Sequence, residues 1–116
     1  MKRALAERRG RRGEGWAGWW LRLQGWRIVA RRVKTPRGEI DLIARRGRTV
    51  AFVEVKWRGG GEALATAIDA YRLRRVAAAA EAVAHRYAGS GEDIRIHVLL
   101  LAPRAWPRHI VNAWQP

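Results

Sequence analysis

Residues 38–58 read GEIDLIARRGRTVAFVEVKWR, and the fold turns on this stretch. It holds two apolar runs, Glu39 to Ala44 and Thr49 to Trp57, joined by Arg45-Arg46-Gly47-Arg48, which has the length and the glycine of a β-hairpin connection. Both runs are apolar on both faces apart from Glu39, Asp41, Glu54 and Lys56, so both suit the interior of a sheet. An isolated carboxylate in such a strand costs several kcal/mol to desolvate. Something must compensate these acids.

The hairpin register decides whether they meet. A two-residue loop at Arg46-Gly47 pairs Arg45 with Arg48, setting Asp41 opposite Phe52 and Glu39 opposite Glu54. A four-residue loop keeps that pairing; a three-residue loop separates the acids. Directly opposed residues share a face and side chains alternate with period two, so Glu39, Asp41, Glu54 and Lys56 are expected on one side of the sheet. Glu39 opposite Glu54 is a like-charge pair, and Asp41 lies diagonally from Glu54 at roughly 7 Å between backbones. A divalent cation would resolve the repulsion. Oxygen-only ligation suits Mg²⁺ or Mn²⁺, and the lack of any cysteine or paired histidine argues against zinc. Lys56 would orient or help deprotonate an attacking water, or offset charge on a phosphate. In the simpler alternative Lys56 pairs with Glu54 or Asp41 and the rest is solvated at a sheet edge. A bare Glu-x-Lys is a weak signal; Gly-Glu-x-Asp, a hairpin and Glu-x-Lys with matching parity is a stronger one.

Upstream, residues 12–24 carry Trp16, Trp19, Trp20 and Leu23 at helical spacing, predicting a helix with those four on its apolar face and Gly25 as its stop. The tryptophans of this chain are expected mostly in the core. Trp26 to Val33 reads as a first strand and Thr35-Pro36-Arg37-Gly38 as a turn. Downstream, Gly59-Gly60-Gly61 is a joint without the Lys-Ser/Thr ending of a phosphate-binding loop. A long helix follows over about 62–88, with Asp69 as a cap within it, Leu73, Val76, Ala80, Val83 and Tyr87 on one stripe, and Gly89 as the stop. Ile94 to Ala102 is a strand whose Val98-Leu99-Leu100-Leu101 run predicts burial on both faces. Ile110 and Val111 fit either a short edge strand or a turn of helix. The order predicts one α/β domain over residues 1–116: a mixed sheet flanked by helices, with residues 1–11 a basic arm.

The chain carries 24 basic and 10 acidic residues, net +14, and is 48% hydrophobic, so it can fill a core while carrying charge that calls for a polyanion. Nucleic acid is the leading partner. Of the basic residues 21 are arginine, whose forked donors suit phosphate; a genome-wide preference for arginine codons explains the same bias equally well. Either way Lys56, one of three lysines, stands out inside a predicted strand. The absence of cysteine excludes thiolate chemistry and fits a reducing cytosol. No apolar run suits a membrane span or a secretory signal.

Gly38 to Ala44 (GEIDLIA) and Phe52 to Arg58 (FVEVKWR) resemble the signature of the YraN-like family of small bacterial proteins, itself similar in predicted fold to the PD-(D/E)XK nuclease superfamily and to archaeal Holliday-junction resolvases. Gly13-Glu14 with Ala17, Leu21, Gly25 and Ile28 resembles that family's opening helix and strand, and Ile110 to Trp114 its closing segment. The resemblance implies a restriction-endonuclease-like mixed sheet with helices in the order α-β-β-β-α-β. It implies Asp41, Glu54 and Glu14 as ligands of Mg²⁺ or Mn²⁺, and Lys56 as the motif lysine. Glu14 is singled out by the resemblance alone; by composition it is equally an exposed first-turn acid. The chain departs from the pattern at Arg32, where the family usually has Asn, at His97, where it tends to have Asp, and at Arg72, where it tends to have Lys.

Two functional classes emerge. One is a metal-dependent endonuclease on DNA, acting on branched or otherwise structured DNA if the resolvase likeness holds, with Asp41, Glu54, Lys56 and Glu14 catalytic. The other is a binding module that places Arg8, Arg9, Arg11, Arg12, Arg72, Arg74 and Arg75 on phosphates and does no chemistry. A third class, an assembly factor using exposed tryptophans, draws on the 7 Trp of the chain. Covalent catalysis fares poorly: Ser90 is the lone serine and has no identifiable base, and His85, His97 and His109 are scattered. The sequence leaves the oligomeric state open, a homodimer included.

Overall fold

The computed structural model describes residues 15–57, 70–102, 104 and 106–111, and the fold is given for these. A helix over residues 15–23, α1, leads into strands β1 (Arg27–Thr35), β2 (Gly38–Arg46) and β3 (Thr49–Trp57). Helix α2 (Ala70–Tyr87) crosses to β4 (Asp93–Leu101), and β5 (Arg108–Ile110) closes the order. The five strands form one sheet in sequential order, antiparallel except for the parallel β3–β4 pair. This is the expected mixed sheet with helices, and the hairpin sits within it. The open choice at Ile110 resolves as an edge strand, with Ile110 paired to Val98. No helix among the described residues is long and apolar enough to cross a membrane.

Two apolar layers hold the helices. On one face Val50 and Phe52 of β3 and Ile96, Val98 and Leu100 of β4 pack with Leu73, Val76, Ala80 and Val83 of α2, the stripe read from the sequence. On the other face Leu42, Ala44, Ala51, Val53, Leu99 and Leu101 pack with Ala17 and Leu21 of α1 and with Trp26. The alternation of β3 and β4 between these layers explains why both read as continuously apolar.

The α1 expectation needs correcting. Its buried face is Ala17 and Leu21, with Trp20 half-buried beside them, while Trp16, Trp19 and Leu23 are exposed. Beside small Ala17, Gly18 leaves room for the Arg31 guanidinium, which would stand 2.9 Å from a Cβ there. The large residues at helical spacing belong to the opposite side. Of the tryptophans in the described residues only Trp26 is buried, so the expected tryptophan core is also overturned. The helix stop is as expected: Gly25 has φ +90°, Trp26 N–H donates to Leu21 C=O at 2.9 Å and Gly25 N–H to Arg22 C=O at 3.0 Å, a Schellman motif.

The hairpin register differs from the expected one by two residues. The turn is Gly47-Arg48, pairing Arg46 with Thr49 and Leu42 with Val53. Gly47 has φ +60°, and a glycine-first two-residue turn needs that conformation at its first position, which Arg46 would adopt only with strain. A shift of two preserves every residue's face.

At its far end α2 is tied to the sheet by Arg45. Its guanidinium makes a bidentate pair with Glu92 and donates to Tyr87 C=O at 2.9 Å, while Glu92 also accepts from Gly89 N–H at 2.6 Å. The Arg45 hydrogen bond first, and then the Gly89 N–H, hold the Glu92 carboxyl down at about 2. A depressed carboxylate contributes stability above its unfolded pKa and loses it as pH falls through the folded one. Glu92→Gln should therefore be less stable than wild type at pH 7, with the difference vanishing between about pH 4.5 and pH 2; urea denaturation at several pH values measures it.

Candidate active site

The apolar row that β3 turns toward α2 ends in charge. Val50 and Phe52 are followed, at the same parity, by Glu54 and Lys56, 8% and 7% exposed, with Lys56 Nζ 3.0 Å from Glu54 Oε1. Their neighbours on the parallel strand β4 are Val98 and Leu100, both buried. Two residues apart on one strand face, an acid and a lysine meet without any loop to place them. In these apolar surroundings each stabilises the other against desolvation.

Asp41 comes to the neighbouring register position by a break in the ladder. The β2–β3 pairing runs from Arg46↔Thr49 to Leu42↔Val53, so continuing it sets Asp41 opposite Glu54 rather than Phe52, and Glu39 opposite Lys56 rather than Glu54. There the Asp41 carboxylate itself accepts the Val55 N–H at 2.8 Å. Strict alternation fails at this residue, because Ile40 and Ile43 both join the α2-side layer while Leu42 joins the other. The neighbouring strand matches the break. Arg32, at the register position opposite Asp41 between the pairs Arg31↔Leu42 and Val33↔Ile40, has φ +50°. Asn tolerates that conformation better than Arg, which gives a physical reason for the Asn usual in the resembled family.

Gly38, Glu39, Glu54, Arg75 and Val76 line a pocket of about 170 Å³ against α2. It brings together, from three elements, two acids and an arginine. Arg74 is exposed on the same helix. The expected residues Glu14, Arg8, Arg9, Arg11 and Arg12, the cap Asp69 and the Gly59–Gly61 joint lie outside the described residues, as does the side chain of Arg72. Among the described residues no three His, Asp or Glu side chains cluster as metal ligands would; the described part of the expected ligand set is the oxygen pair Asp41 and Glu54. That donor chemistry, acid only, fits a hard divalent cation and not a soft one.

Sequence reasoning missed one polar cluster. On the α1 side, His97 is buried under the edge of Trp26, with ring centroids 5.4 Å apart, and its Nδ1 lies 2.7 Å from His109 Nε2. Burial, then the neighbouring His109, Arg46 and Arg95, bring His97 down to about 4; burial and Arg46 also lower His109. These rings share one hydrogen bond between neutral partners, on the face away from Glu54 and Lys56. Only the β4–β5 register joins them, and nothing in the spacing of the histidines announces it.

A mixed five-stranded sheet with a helix on each face, in the order helix, three strands, helix, two strands, defines an α/β protein. The chain belongs to the YraN-like family, whose profile, described as "Uncharacterised protein family UPF0102", matches residues 13–101. It is 68% identical to a UPF0102 protein of Erythrobacter litoralis and 66% identical to one of Sphingopyxis alaskensis, each over the full length of both chains. A UPF0102 protein of Parvibaculum lavamentivorans is 51% identical over 96% of this chain and 84% of its own.

Lys56→Met removes the partner of a buried carboxylate and should destabilise the fold by about 3–5 kcal/mol. Glu54→Leu combined with Lys56→Met should recover most of that loss, because two apolar side chains then extend the row of Val50 and Phe52. Urea denaturation of the single and double variants measures the difference.

Proposed function

We propose that the protein is a metal-dependent endonuclease that hydrolyses phosphodiester bonds in DNA, branched or structured DNA being the favoured substrate. The observation that carries this reading is the buried Glu54–Lys56 pair beside the Asp41 carboxylate, at a pocket that Glu39 and Arg75 also line. Asp41 and Glu54 would hold Mg²⁺ or Mn²⁺, with Glu14 as the third acid carried over from the family pattern. The ion, when bound, polarises the phosphoryl group and makes a bound water more acidic. Lys56 then orients the water or offsets the charge that develops on the phosphate, and Arg75 holds a phosphate at the pocket rim. Hydrolysis forms a bond from the water oxygen to phosphorus and breaks one P–O ester bond, the leaving oxygen taking up a proton.

A second reading keeps the fold and drops the chemistry: a basic nucleic-acid-binding module in which Lys56 neutralises Glu54 permanently. The 3.0 Å ion pair favours it, since an acid already paired has less need of a cation. Both readings place the protein in the cytosol on nucleic acid.

Linear duplex, single-stranded, flapped and four-way DNA incubated with the purified protein, with Mg²⁺, Mn²⁺ or chelator, test the first reading; cleavage that needs the ion and is lost in Asp41→Asn is expected. In parallel, Mn²⁺ should raise the melting temperature of wild type, a ligand at a hundredfold excess over Kd stabilising by about 2.7 kcal/mol, and Asp41→Asn should abolish that shift. No shift and no cleavage would leave the binding module standing.

Under either reading affinity for DNA should depend strongly on salt and weakly on sequence, because arginines neutralise phosphates and release counterions. With about five phosphates contacted, log affinity should fall with log salt at a slope near −4.5. Fluorescence anisotropy across a salt series measures it, and a flat response would reject the polyanion partner.

A further inference from the structure

The helix α1 turns its large rings outward. Trp19 is 62% exposed, Trp16 and Leu23 share its side of the helix, and half-buried Trp20 lies next to them against Trp106, with ring centroids 5.9 Å apart at 42°. Trp106 stands in the stretch between β4 and β5 and is 78% exposed. Among the described residues the buried Trp20 Nε1 has no hydrogen-bond partner, and ring packing joins Trp20 to Trp106. Through Trp20, the exposed indole of Trp106 meets the helix that carries the exposed Trp16 and Trp19. Water-facing tryptophans at this density mark a contact site rather than an ordinary surface.

The charge beside these rings identifies the kind of contact. Arg22 on α1 and Arg104, two residues before Trp106 in the chain, are both exposed, on a protein of net charge +14. Exposed arginines interleaved with exposed aromatic rings suit a strand of nucleic acid whose bases are unpaired, the rings taking the bases and the guanidinium groups the phosphates. A duplex offers only phosphates here, since its base faces are already stacked. The surface lies on the α1 face of the sheet, opposite the pocket acids, which face α2.

We propose that Trp19 and Trp106, with Trp16 beside them, form a stacking platform for unpaired nucleobases, which selects single-stranded or locally opened nucleic acid over continuous duplex. The proposal rests on the nucleic-acid reading given above and adds to it the feature of the substrate that is recognised. Both Trp19 and Trp106 lie outside the pocket, so their replacement leaves the acids and Lys56 in place.

The test is binding of oligo-dT, of a blunt duplex of equal length and of a duplex with an unpaired tail, followed by quenching of tryptophan fluorescence and by anisotropy. Wild type should prefer oligo-dT and the tailed duplex and show quenching with both. Trp19→Ala and Trp106→Ala should each weaken oligo-dT binding by about 5- to 150-fold, the range expected for one lost base–aromatic stack, and leave blunt-duplex affinity within twofold; Trp19→Phe should restore most of the loss. Equal affinity for all three DNAs, with both alanine variants unchanged, would overturn the platform and leave the nucleic-acid reading intact. Binding of none of them would overturn both. Sedimentation of the free protein gives the remaining arm: a dimer that Trp19→Ala dissociates, with oligo-dT affinity unaltered, would assign the surface to a second copy of the chain and reject the proposal.

Discussion

The hydrogen bond from the Val55 N–H to the Asp41 carboxylate is the point on which the site depends. In a regular antiparallel pair that N–H would serve a backbone carbonyl, and Asp41 would turn its side chain straight off the sheet. Here the backbone pairing of β2 with β3 runs as far as Leu42↔Val53, and a side chain takes over one residue later. The exchange satisfies a buried donor and at the same time fixes a carboxylate beside the next acid. It leaves the end of the hairpin open on the α2 side, where the pocket of Gly38, Glu39, Glu54, Arg75 and Val76 lies. The cost of the break is spread over two strands: β2 reverses its alternation at Asp41, and β1 accepts a left-handed Arg32 opposite it. Because both strands reverse together, Val33 and Ile40 still face α2, and the apolar layer survives the interruption.

What the sequence discloses of this arrangement follows from which interactions are local. The hairpin, the α2 stripe, the doubly buried β4 and the glycine stop at Gly25 rest on neighbours in sequence, and periodicity reads them correctly. The register was displaced because either Arg46 or Gly47 could open a two-residue turn, and only the positive φ of Gly47 decides between them. Parity survived that error, so Glu54 and Lys56 fall on the expected face. The role of Asp41 was legible as a residue and not as a contact: its partner is a backbone N–H, and no residue type advertises one. Arg75 was legible as a basic residue of the long helix, whereas its place at the pocket with Glu39 and Glu54 comes only from the packing of α2 on the sheet.

The largest misreading, on α1, has a general cause. Apolar spacing identifies a helical stripe without saying which side of it meets the sheet, and tryptophan weighs heavily in any such pattern. A helix that must pack closely on a sheet buries small residues more easily than indoles, and Ala17 and Leu21 fit where Trp16 and Trp19 would hold the layers apart. Trp16 and Trp19 therefore stay on the outer side of the helix, while Trp20 lies half-buried at its flank.

The strand positions of Glu54 and Lys56 also bear on purpose. Beside them in β4 the chain uses Val98 and Leu100, and before them in β3 it uses Val50 and Phe52, so an aliphatic pair at 54 and 56 would continue a layer already built. Replacing a buried ion pair by well-packed apolar residues is commonly neutral or stabilising by about 1–4 kcal/mol, whereas losing one partner alone is costly. Stability of the isolated fold therefore gives no reason to prefer charge here over the simplest hydrophobic solution. The same holds for Asp41, since a backbone carbonyl would satisfy Val55 as well as a carboxylate does. Three departures from the cheapest sheet converge on one end of one hairpin, next to an arginine and a third acid. Packing alone would scatter such departures, and a site that handles charge would gather them.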